Sequence, residues 1–197
     1  MMKRLFDIVF ASVMLVLFAP LFIVLACWIS LDSRGGVFFG QERVGINGKH
    51  FKLWKFRTMK PHSERGGQLT VGSSDSRITR AGYFLRKFKV DELPQLWNVL
   101  LGDMSVVGPR PEVPRYVAMY SPEQRLVLSI RPGITDYASL RYFEESDLLA
   151  KSTNPEETYI QEIMPAKLAL NLEYVRRHSF TGDLSVIIQT GLRILKA

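Results

Sequence analysis

Two adjacent carboxylates, Asp91 and Glu92, stand just before a proline in the stretch KVDELPQLWNVLLGDMSVVGPRP of residues 89–111. Basic side chains precede the pair, and Arg110 follows it between two prolines. A carboxylate can attack phosphorus or hold Mg²⁺, and a second carboxylate can transfer a proton. The planar fork of an arginine binds phosphate, as do the free N–H groups of a helix N-terminus. These are the groups that phosphoryl transfer needs.

The same pair also has a simpler explanation. The sequence predicts a helix over 94–101, with Pro94 in its first turn and Gly102 at its C-terminal cap. Asp is a good N-cap, and acidic residues in a first turn complement the helix dipole. For an isolated Asp-Glu pair, capping is the more common role. The basic neighbours Arg86, Lys87 and Lys89 favour the chemical alternative here.

Composition limits the class of protein. The chain has 197 residues, enough for one domain with a sizeable core. Its formal net charge of +7 suits a polyanionic partner, which includes nucleic acid, an anionic membrane face and phosphorylated substrates. The single cysteine, Cys27, excludes a disulfide within the chain and a multi-cysteine zinc site.

The N-terminal part of the chain is apolar from Ile8 to Ile29, apart from Ser12 and Pro20. That length predicts a membrane helix, because few soluble domains of this size enclose such a segment. A signal peptide is disfavoured because its apolar core usually spans only ~7–15 residues. A spanning helix and a re-entrant hairpin remain as alternatives.

Flanking charge and Pro20 both bear on that choice. Basic residues lie on both sides of the segment, which favours both ends facing the cytoplasm. Pro20 removes a backbone hydrogen bond near the middle, and each half then covers only ~18–20 Å of a ~30 Å hydrocarbon core. Kinked spanning helices also occur. The residues by themselves therefore leave both alternatives open.

The remaining segments predict a mostly helical α/β (α+β) fold. Short strands are expected over 37–59, with a hairpin turn at Gly45 and Asn47-Gly48, followed by a polar loop over 60–77. Helices are expected over 80–90, over 156–178 with a bend at Pro165, and over 183–196 with Asp183 as N-cap. The last helix has an apolar face with basic edges, which suits either a membrane surface or the protein core.

Several motifs together resemble one family. They are KRLFD, the proline-bearing apolar segment, QERVGINGKHFKLWKFRTMK, DSRITRAGYFLRKFKVDELPQLWNVLLGDMSVVGPRPE and IRPGIT. Through them the chain resembles the small monotopic phosphoglycosyl transferases, also called bacterial sugar transferases, along nearly its whole length.

The resemblance implies an activity and a location. The expected reaction moves a sugar 1-phosphate from a UDP-sugar to polyprenyl (undecaprenyl) phosphate and requires Mg²⁺. It would be the first membrane step of glycoconjugate biosynthesis. Residues 1–33 would form a re-entrant anchor bent at Pro20. Residues 34–197 would form a catalytic domain on the cytoplasmic face of the bacterial inner membrane, with amphipathic helices on the membrane surface. The resemblance implies a bilayer as partner, no nucleic acid, and a monomer or homodimer.

The resemblance also implies roles for individual residues. Asp91 would attack the phosphate that bears the sugar, releasing UMP and leaving a covalent phospho-sugar enzyme, and would contribute to Mg²⁺ binding. Glu92 would help to deprotonate the incoming lipid phosphate. Substrate binding is expected from Arg86, Pro109, Arg110, Pro111, Lys55, Arg57 and Arg131.

Two departures from the family pattern stand out. Ala19 precedes Pro20 where the family often has serine, so the bend would rest on Pro20 and on packing. After Thr135 the chain continues Asp-Tyr-Ala-Ser-Leu where many members have Gly-Trp-Ala-Gln, a difference expected to bear on which sugar is accepted.

Two other classes of protein are rivals to this interpretation. A non-catalytic membrane-bound assembly module would need the same anchor and no chemistry at Asp91. A basic nucleic-acid binder is disfavoured, because aromatic and basic residues are not interleaved on one face and a membrane segment makes no contact with DNA.

Overall fold

The computed structural model describes residues 2–61, 63, 69, 71–72 and 75–196. This part of the chain is mostly helical, with two small two-stranded sheets. The predicted polar loop over 60–77 lies partly outside the described residues. The strands are β1 (Phe38–Val44), β2 (His50–Phe56), β3 (Ser105–Val107) and β4 (Gly133–Thr135). The helices are α1 (Met2–Asp32), α2 (Arg80–Lys87), α3 (Gln95–Leu101), α4 (Pro114–Val117), α5 (Tyr137–Arg141), α6 (Glu145–Ala150), α7 (Pro155–Thr158), α8 (Met164–Arg177) and α9 (Phe180–Leu195).

The predicted hairpin is confirmed. Strands β1 and β2 pair antiparallel, with Val44 opposite His50. Between them Asn47 and Gly48 have φ angles of 56° and 76°, which asparagine and glycine adopt more easily than other residues. The hairpin places Lys55 near its end, beside the predicted reaction centre.

Helix α1 packs along the rest of the chain instead of standing apart from it. Near its N-terminus Asp7 accepts hydrogen bonds from the Ser105 hydroxyl and the Val106 amide. At its C-terminus Asp32 accepts from the Ala81 amide. By length and composition α1 is the one described helix able to cross a membrane. Its helical assignment runs without interruption through Pro20, so the predicted bend and re-entry stay predictions.

The parallel pairing of β3 with β4 was not anticipated from the sequence. Ser105 lies opposite Gly133 and Val107 opposite Thr135. A Cβ atom on Gly133 would approach the Gly108 amide nitrogen to 2.1 Å, so only glycine permits this contact. The close approach fixes the segment that runs directly from β3 into Pro109-Arg110-Pro111.

The C-terminal helices require one correction. The predicted helix over 156–178 is present as α7, a π-helical stretch (Tyr159–Ile163) and α8, with Pro165 in the first turn of α8. The last helix begins earlier than expected, at Phe180, and its N-cap is Ser179. The prediction of Asp183 as N-cap is therefore wrong. Asp183 is buried, accepts a hydrogen bond from the Tyr174 hydroxyl and pairs with Lys3 of α1.

Candidate active site

The Asp91-Glu92 pair lies in a single 3₁₀ turn, Val90–Glu92, between α2 and α3. The residue before the turn, Lys89, has a φ angle of 53°, in the left-handed region that non-glycine residues rarely adopt. Helix α3 then begins after Pro94 without a side-chain cap, so neither carboxylate serves as its N-cap. The capping alternative does not describe what these side chains do.

Asp91 is buried, with 6% of its surface exposed. Its Oδ1 atom has no hydrogen-bond partner among the residues that the structure describes. Burial raises the pKa of Asp91, and the adjacent Glu92 raises it further, while Lys55, Arg86 and Lys89 act in the opposite direction. Buried carboxylates are usually paired, so this one is a candidate for a reactive group.

Glu92 is held by two cations. Lys55 Nζ lies 2.9 Å from its Oε1 atom, and the Arg110 guanidinium reaches both carboxylate oxygens, with Nη1 3.0 Å from Oε2. Burial by itself would raise the pKa of Glu92, but Arg110 and Lys55 outweigh it and hold that pKa well below its usual range. The two carboxylates therefore have pKa values pushed apart, a pattern typical of acid–base sites.

Arg86 joins the site from α2. Its Nε atom donates to the Thr58 hydroxyl at 2.9 Å. Helix α2 can lie this close to Thr58 because Gly82 has no Cβ atom. A Cβ atom at that position would lie only 2.0 Å from the Thr58 carbonyl oxygen. Burial lowers the pKa of Arg86, and the Asp91 carboxylate opposes that shift. The guanidinium is thus placed within electrostatic reach of Asp91.

The Pro109-Arg110-Pro111 string is fixed along its backbone. The Gly133 amide donates to the Pro109 carbonyl at 3.0 Å, and the Arg110 amide donates to Asp136 at 2.9 Å. Arg43 Nη1 donates to the Pro111 carbonyl at 3.0 Å. Asp136 and Arg43 were not among the predicted site residues. Arg43 stood in the QERVGINGKH motif, but nothing local to either residue indicates this positioning role.

A cavity of about 1120 Å³ is lined by Arg43, Lys55, Arg86, Asp91, Glu92, Pro109, Arg110 and Pro111. That volume slightly exceeds the usual range of small-molecule sites, ~300–1,000 Å³, and is large enough for a nucleotide sugar. One part of the wall is charged and contains Lys55, Arg86, Asp91, Glu92 and Arg110. Another part is apolar and comes from α1 and α9, with Phe10, Met14, Phe18, Leu21, Ile187 and Ile194. The cavity therefore offers both an ionic and an apolar surface to its ligands.

Two predicted substrate-binding residues lie outside this cavity. The Arg57 side chain binds the Ser33 carbonyl and hydroxyl and the Gly36 carbonyl, just after α1 ends. Arg131 Nε donates to the Gly102 carbonyl at 2.8 Å and is exposed. Neither guanidinium lines the cavity. The structure thus brings together Lys55, Arg86, Asp91, Glu92, Pro109, Arg110 and Pro111, and places Arg57 and Arg131 elsewhere.

The charged wall fits a magnesium ion that is shared with a substrate. Within the described ranges no group of three or more His, Cys, Asp or Glu side chains is placed to hold a metal ion. Mg²⁺ is commonly held by one or two carboxylates together with substrate phosphates. The buried Oδ1 atom of Asp91, which has no partner in the described part of the chain, is a suitable donor for such a site.

Fold and site together combine two adjacent carboxylates and several cations beside an apolar N-terminal helix. The chain belongs to the bacterial sugar transferase family, whose model matches residues 1–197.

Individual relatives have more specific names. Two are named UDP-glucose:undecaprenyl-phosphate glucose-1-phosphate transferase. The one from Caulobacter vibrioides is 36% identical over 95% of this chain and 67% of its own length. The one from Xanthomonas campestris is 35% identical over 98% of this chain and 38% of its own length.

A third relative, from Aeromonas hydrophila, is 35% identical over 98% of this chain and 43% of its own length. It is named UDP-N-acetylgalactosamine-undecaprenyl-phosphate N-acetylgalactosaminephosphotransferase. The chain thus spans about two fifths of the length of the Xanthomonas and Aeromonas relatives. Relatives of similar identity are named for different sugars, so identity does not assign the sugar.

Proposed function

We propose that this protein transfers a sugar 1-phosphate from a UDP-sugar to undecaprenyl phosphate, giving undecaprenyl-diphosphate-sugar and UMP. One observation carries the proposal: Asp91, whose buried Oδ1 atom has no partner among the described residues, lines a cavity together with basic side chains that include Lys55, Arg86 and Arg110. A buried carboxylate with only a structural role is expected to be paired. The names of the relatives support the same reaction.

In the first step a carboxylate oxygen of Asp91 attacks the phosphorus that bears the sugar. A bond forms between that oxygen and phosphorus, the bond to the bridging oxygen of the diphosphate breaks, and its electron pair leaves with UMP. The raised pKa of Asp91 makes its carboxylate the more basic of the pair, which suits a nucleophile. Arg86, Lys55 and Arg110 offset the negative charge that the donor brings.

In the second step a phosphate oxygen of the lipid attacks the same phosphorus. The bond between Asp91 and phosphorus breaks, so the carboxylate is regenerated and the diphosphate-linked sugar leaves. Glu92 accepts the proton of the incoming lipid phosphate when that phosphate arrives protonated. This role requires Arg110 and Lys55 to move from Glu92 to the substrate phosphates, because in their present positions they hold the pKa of Glu92 low.

Mg²⁺ is proposed as the cofactor, with Asp91 as its protein ligand. When bound there it would neutralise phosphate charge and help the leaving group depart.

Helix α1 is proposed to anchor residues 34–197 at the cytoplasmic face of the inner membrane, as a re-entrant segment over residues 1–33. Arg4 near the start of α1 donates to the carbonyls of Val99 and Leu100, and Asp32 at its end binds the start of α2. Both ends of the segment thus make polar contacts with the same domain. That arrangement supports a segment whose two ends share one side of the bilayer.

The test is UMP release by detergent-solubilised protein incubated with UDP-sugars, Mg²⁺ and undecaprenyl phosphate. We expect release with at least one UDP-sugar and none from Asp91→Asn. Without the lipid, intact mass spectrometry should find one sugar phosphate on the protein and none on the variant. A non-catalytic assembly module would release no UMP with any donor.

A further inference from the structure

Two further residues that carry unpaired polar atoms line the same cavity, away from the Asp91-Glu92 turn in sequence. Oδ1 of Asn171 on α8 and Oγ of Ser139 on α5 are buried and have no hydrogen-bond partner within the described part of the chain. Both residues line the cavity. Asn171 is buried, with only 4% of its surface exposed. Leaving a buried acceptor without a partner is unfavourable, so these atoms indicate a ligand that supplies the missing hydrogen bonds.

The two helices that carry these residues are tied to the reaction centre. Helix α5 packs against α8. Asp136 accepts hydrogen bonds from the amides of both Arg110 and Ser139, so one buried carboxylate fixes the first turn of α5 relative to Arg110. The position of Ser139 is therefore set by the same backbone contact that holds the Pro-Arg-Pro string.

Asn171 is linked to Arg110 by a second route. Lys167 precedes it by one helical turn and so lies on the same face of α8. Lys167 Nζ is 2.6 Å from Glu145, whose charge is close enough to Arg110 to contribute to the raised pKa of that guanidinium. Lys167 and Glu145 offset each other's charge, so this ion pair adds no net charge to the lining of the cavity.

The chemistry of this wall differs from that of the charged wall. A phosphate group is bound by cations, and an apolar chain is bound by an apolar groove. An amide oxygen and a hydroxyl instead form hydrogen bonds with the hydroxyl or N–H groups of a neutral ring. A donor nucleotide has two such rings, the sugar and the nucleoside. The nucleoside leaves after the first half-reaction, while the sugar stays through both. A deeply buried wall suits the ring that stays.

We propose that Asn171 and Ser139 bind the sugar ring of the donor and determine which UDP-sugar is accepted, Asn171 by accepting a hydrogen bond from a ring hydroxyl or N–H group. This inference rests on the proposed function and goes beyond it by assigning the sugar subsite.

The experiment measures kcat/KM for a panel of UDP-sugars by UMP release, with wild type, Ser139→Ala, Asn171→Leu and the double variant. UMP is also titrated as a product inhibitor of each protein. Ser185→Ala, an exposed serine of α9 outside the cavity, is the matched control. Ser139→Ala removes only one oxygen atom, and alanine is compatible with helix α5. This variant therefore still tests the proposal if Asn171→Leu does not fold.

We expect Ser139→Ala or Asn171→Leu to change the ratio of kcat/KM between two UDP-sugars by about tenfold or more, the effect of one lost hydrogen bond. The inhibition constant of UMP should change less than about twofold, because UMP lacks the sugar that is transferred. An equal loss for every UDP-sugar together with weaker UMP inhibition would overturn the proposal in favour of a nucleoside site. Unchanged ratios in both folded variants would also overturn it. If wild type releases no UMP from any donor, the proposed function itself fails, which is a separate outcome.

Discussion

The contact between Arg110 and Glu92 allows a quantitative prediction for Arg110→Lys. The guanidinium reaches both carboxylate oxygens through two different nitrogens, and the backbone on either side of Arg110 is held by proline rings and hydrogen bonds. Lysine keeps the charge but cannot reproduce the planar fork. We expect the fork to bind the diphosphate of the donor when substrate enters, since Arg110 stands between two prolines on a segment held by hydrogen bonds along its backbone.

The magnitude follows from the number of hydrogen bonds lost. Replacing two charge-assisted bonds by one removes a contribution of about 1.5–3 kcal/mol. The Arg110 side chain is 30% exposed, which places the expected loss in the lower half of that range. At about 1.4 kcal/mol per decade this corresponds to a decrease in kcat/KM for the UDP-sugar of roughly 10- to 40-fold. The dependence on lipid concentration should hardly change.

The assay is UMP release with the UDP-sugar varied at saturating lipid, and then with the lipid varied at saturating UDP-sugar. Arg176→Lys is the matched control, because Arg176 forms an exposed ion pair with Glu123 outside the cavity and should change kcat/KM by less than about twofold. The same substitution is repeated in a Glu92→Gln background. A raised lipid requirement with an unchanged nucleotide-sugar response would refute the donor role. So would an effect of Arg110→Lys that disappears once Glu92 is neutral.

Three further predictions concern the carboxylates. Asp91→Asn should abolish turnover yet raise the free energy of unfolding by on the order of 1 kcal/mol, or roughly 2–4 °C in Tm, because a buried ionised group becomes neutral; a lower Tm would contradict this. Glu92→Gln should still form the phospho-sugar enzyme but discharge it slowly, so the adduct should accumulate in intact mass spectra even with lipid present. Lys55→Met should move the acidic limb of the pH–rate profile to higher pH, because Lys55 lowers the pKa of Asp91 and the reaction needs its ionised form; a shift to lower pH would be inconsistent with that role.

The stability prediction for Asp91 has a definite direction with pH. Its pKa is raised in the folded protein, so the folded state binds more protons than the unfolded state between the two pKa values. The free energy of unfolding of the wild-type protein therefore falls as the pH rises through that interval. The destabilisation caused by Asp91 is complete above its pKa in the folded state. The gain in free energy of unfolding of Asp91→Asn over wild type should therefore become smaller as the pH is lowered.

Local chemistry made much of the fold predictable. The hairpin turn needs φ angles that Asn47 and Gly48 adopt easily, and α3 begins after Pro94 and ends at Gly102, whose φ angle is 93°. The sequence predicted a helix bent at Pro165 but gave no sign of the π-helical stretch that precedes this proline. Patterns of this kind depend on a few neighbouring residues, and the sequence displays them directly.

Contacts between distant residues were not predictable in the same way. The capping role assigned to Asp183 was wrong because its partner, Lys3, lies 180 positions earlier in the chain, and Ser179 caps the helix instead. The pairing of β3 with β4 involves strands of only three residues each, too short to leave a periodic pattern. At the site, the sequence indicated the Asp-Glu pair and the Pro-Arg-Pro string. In the structure Glu92 binds both Lys55 and Arg110, and Asp91 Oδ1 has no partner among the described residues. This arrangement depends on how the elements pack, so the sequence did not indicate it.

The placement of α1 supports one last prediction, on the sidedness of its ends. Near the N-terminus Lys3 pairs with Asp183, and past the C-terminus Arg57 donates to the Ser33 carbonyl. A spanning helix would put one of these ends across the bilayer and break its contacts with the domain.

We therefore expect cysteines introduced at Met2 and at Gly36, in a Cys27→Ser background, to react with a membrane-impermeant thiol reagent from the same side of sealed vesicles. Met2 is 80% exposed, and a Cβ atom on Gly36 would come no closer than 3.7 Å to its nearest neighbour, so both sites accept cysteine. Lysed vesicles provide the control for full reactivity at both positions. Labelling from opposite sides would establish a spanning helix. It would also mean that the polar contacts at one end of α1 do not form in the membrane, because the same domain cannot reach both faces of a ~30 Å hydrocarbon core.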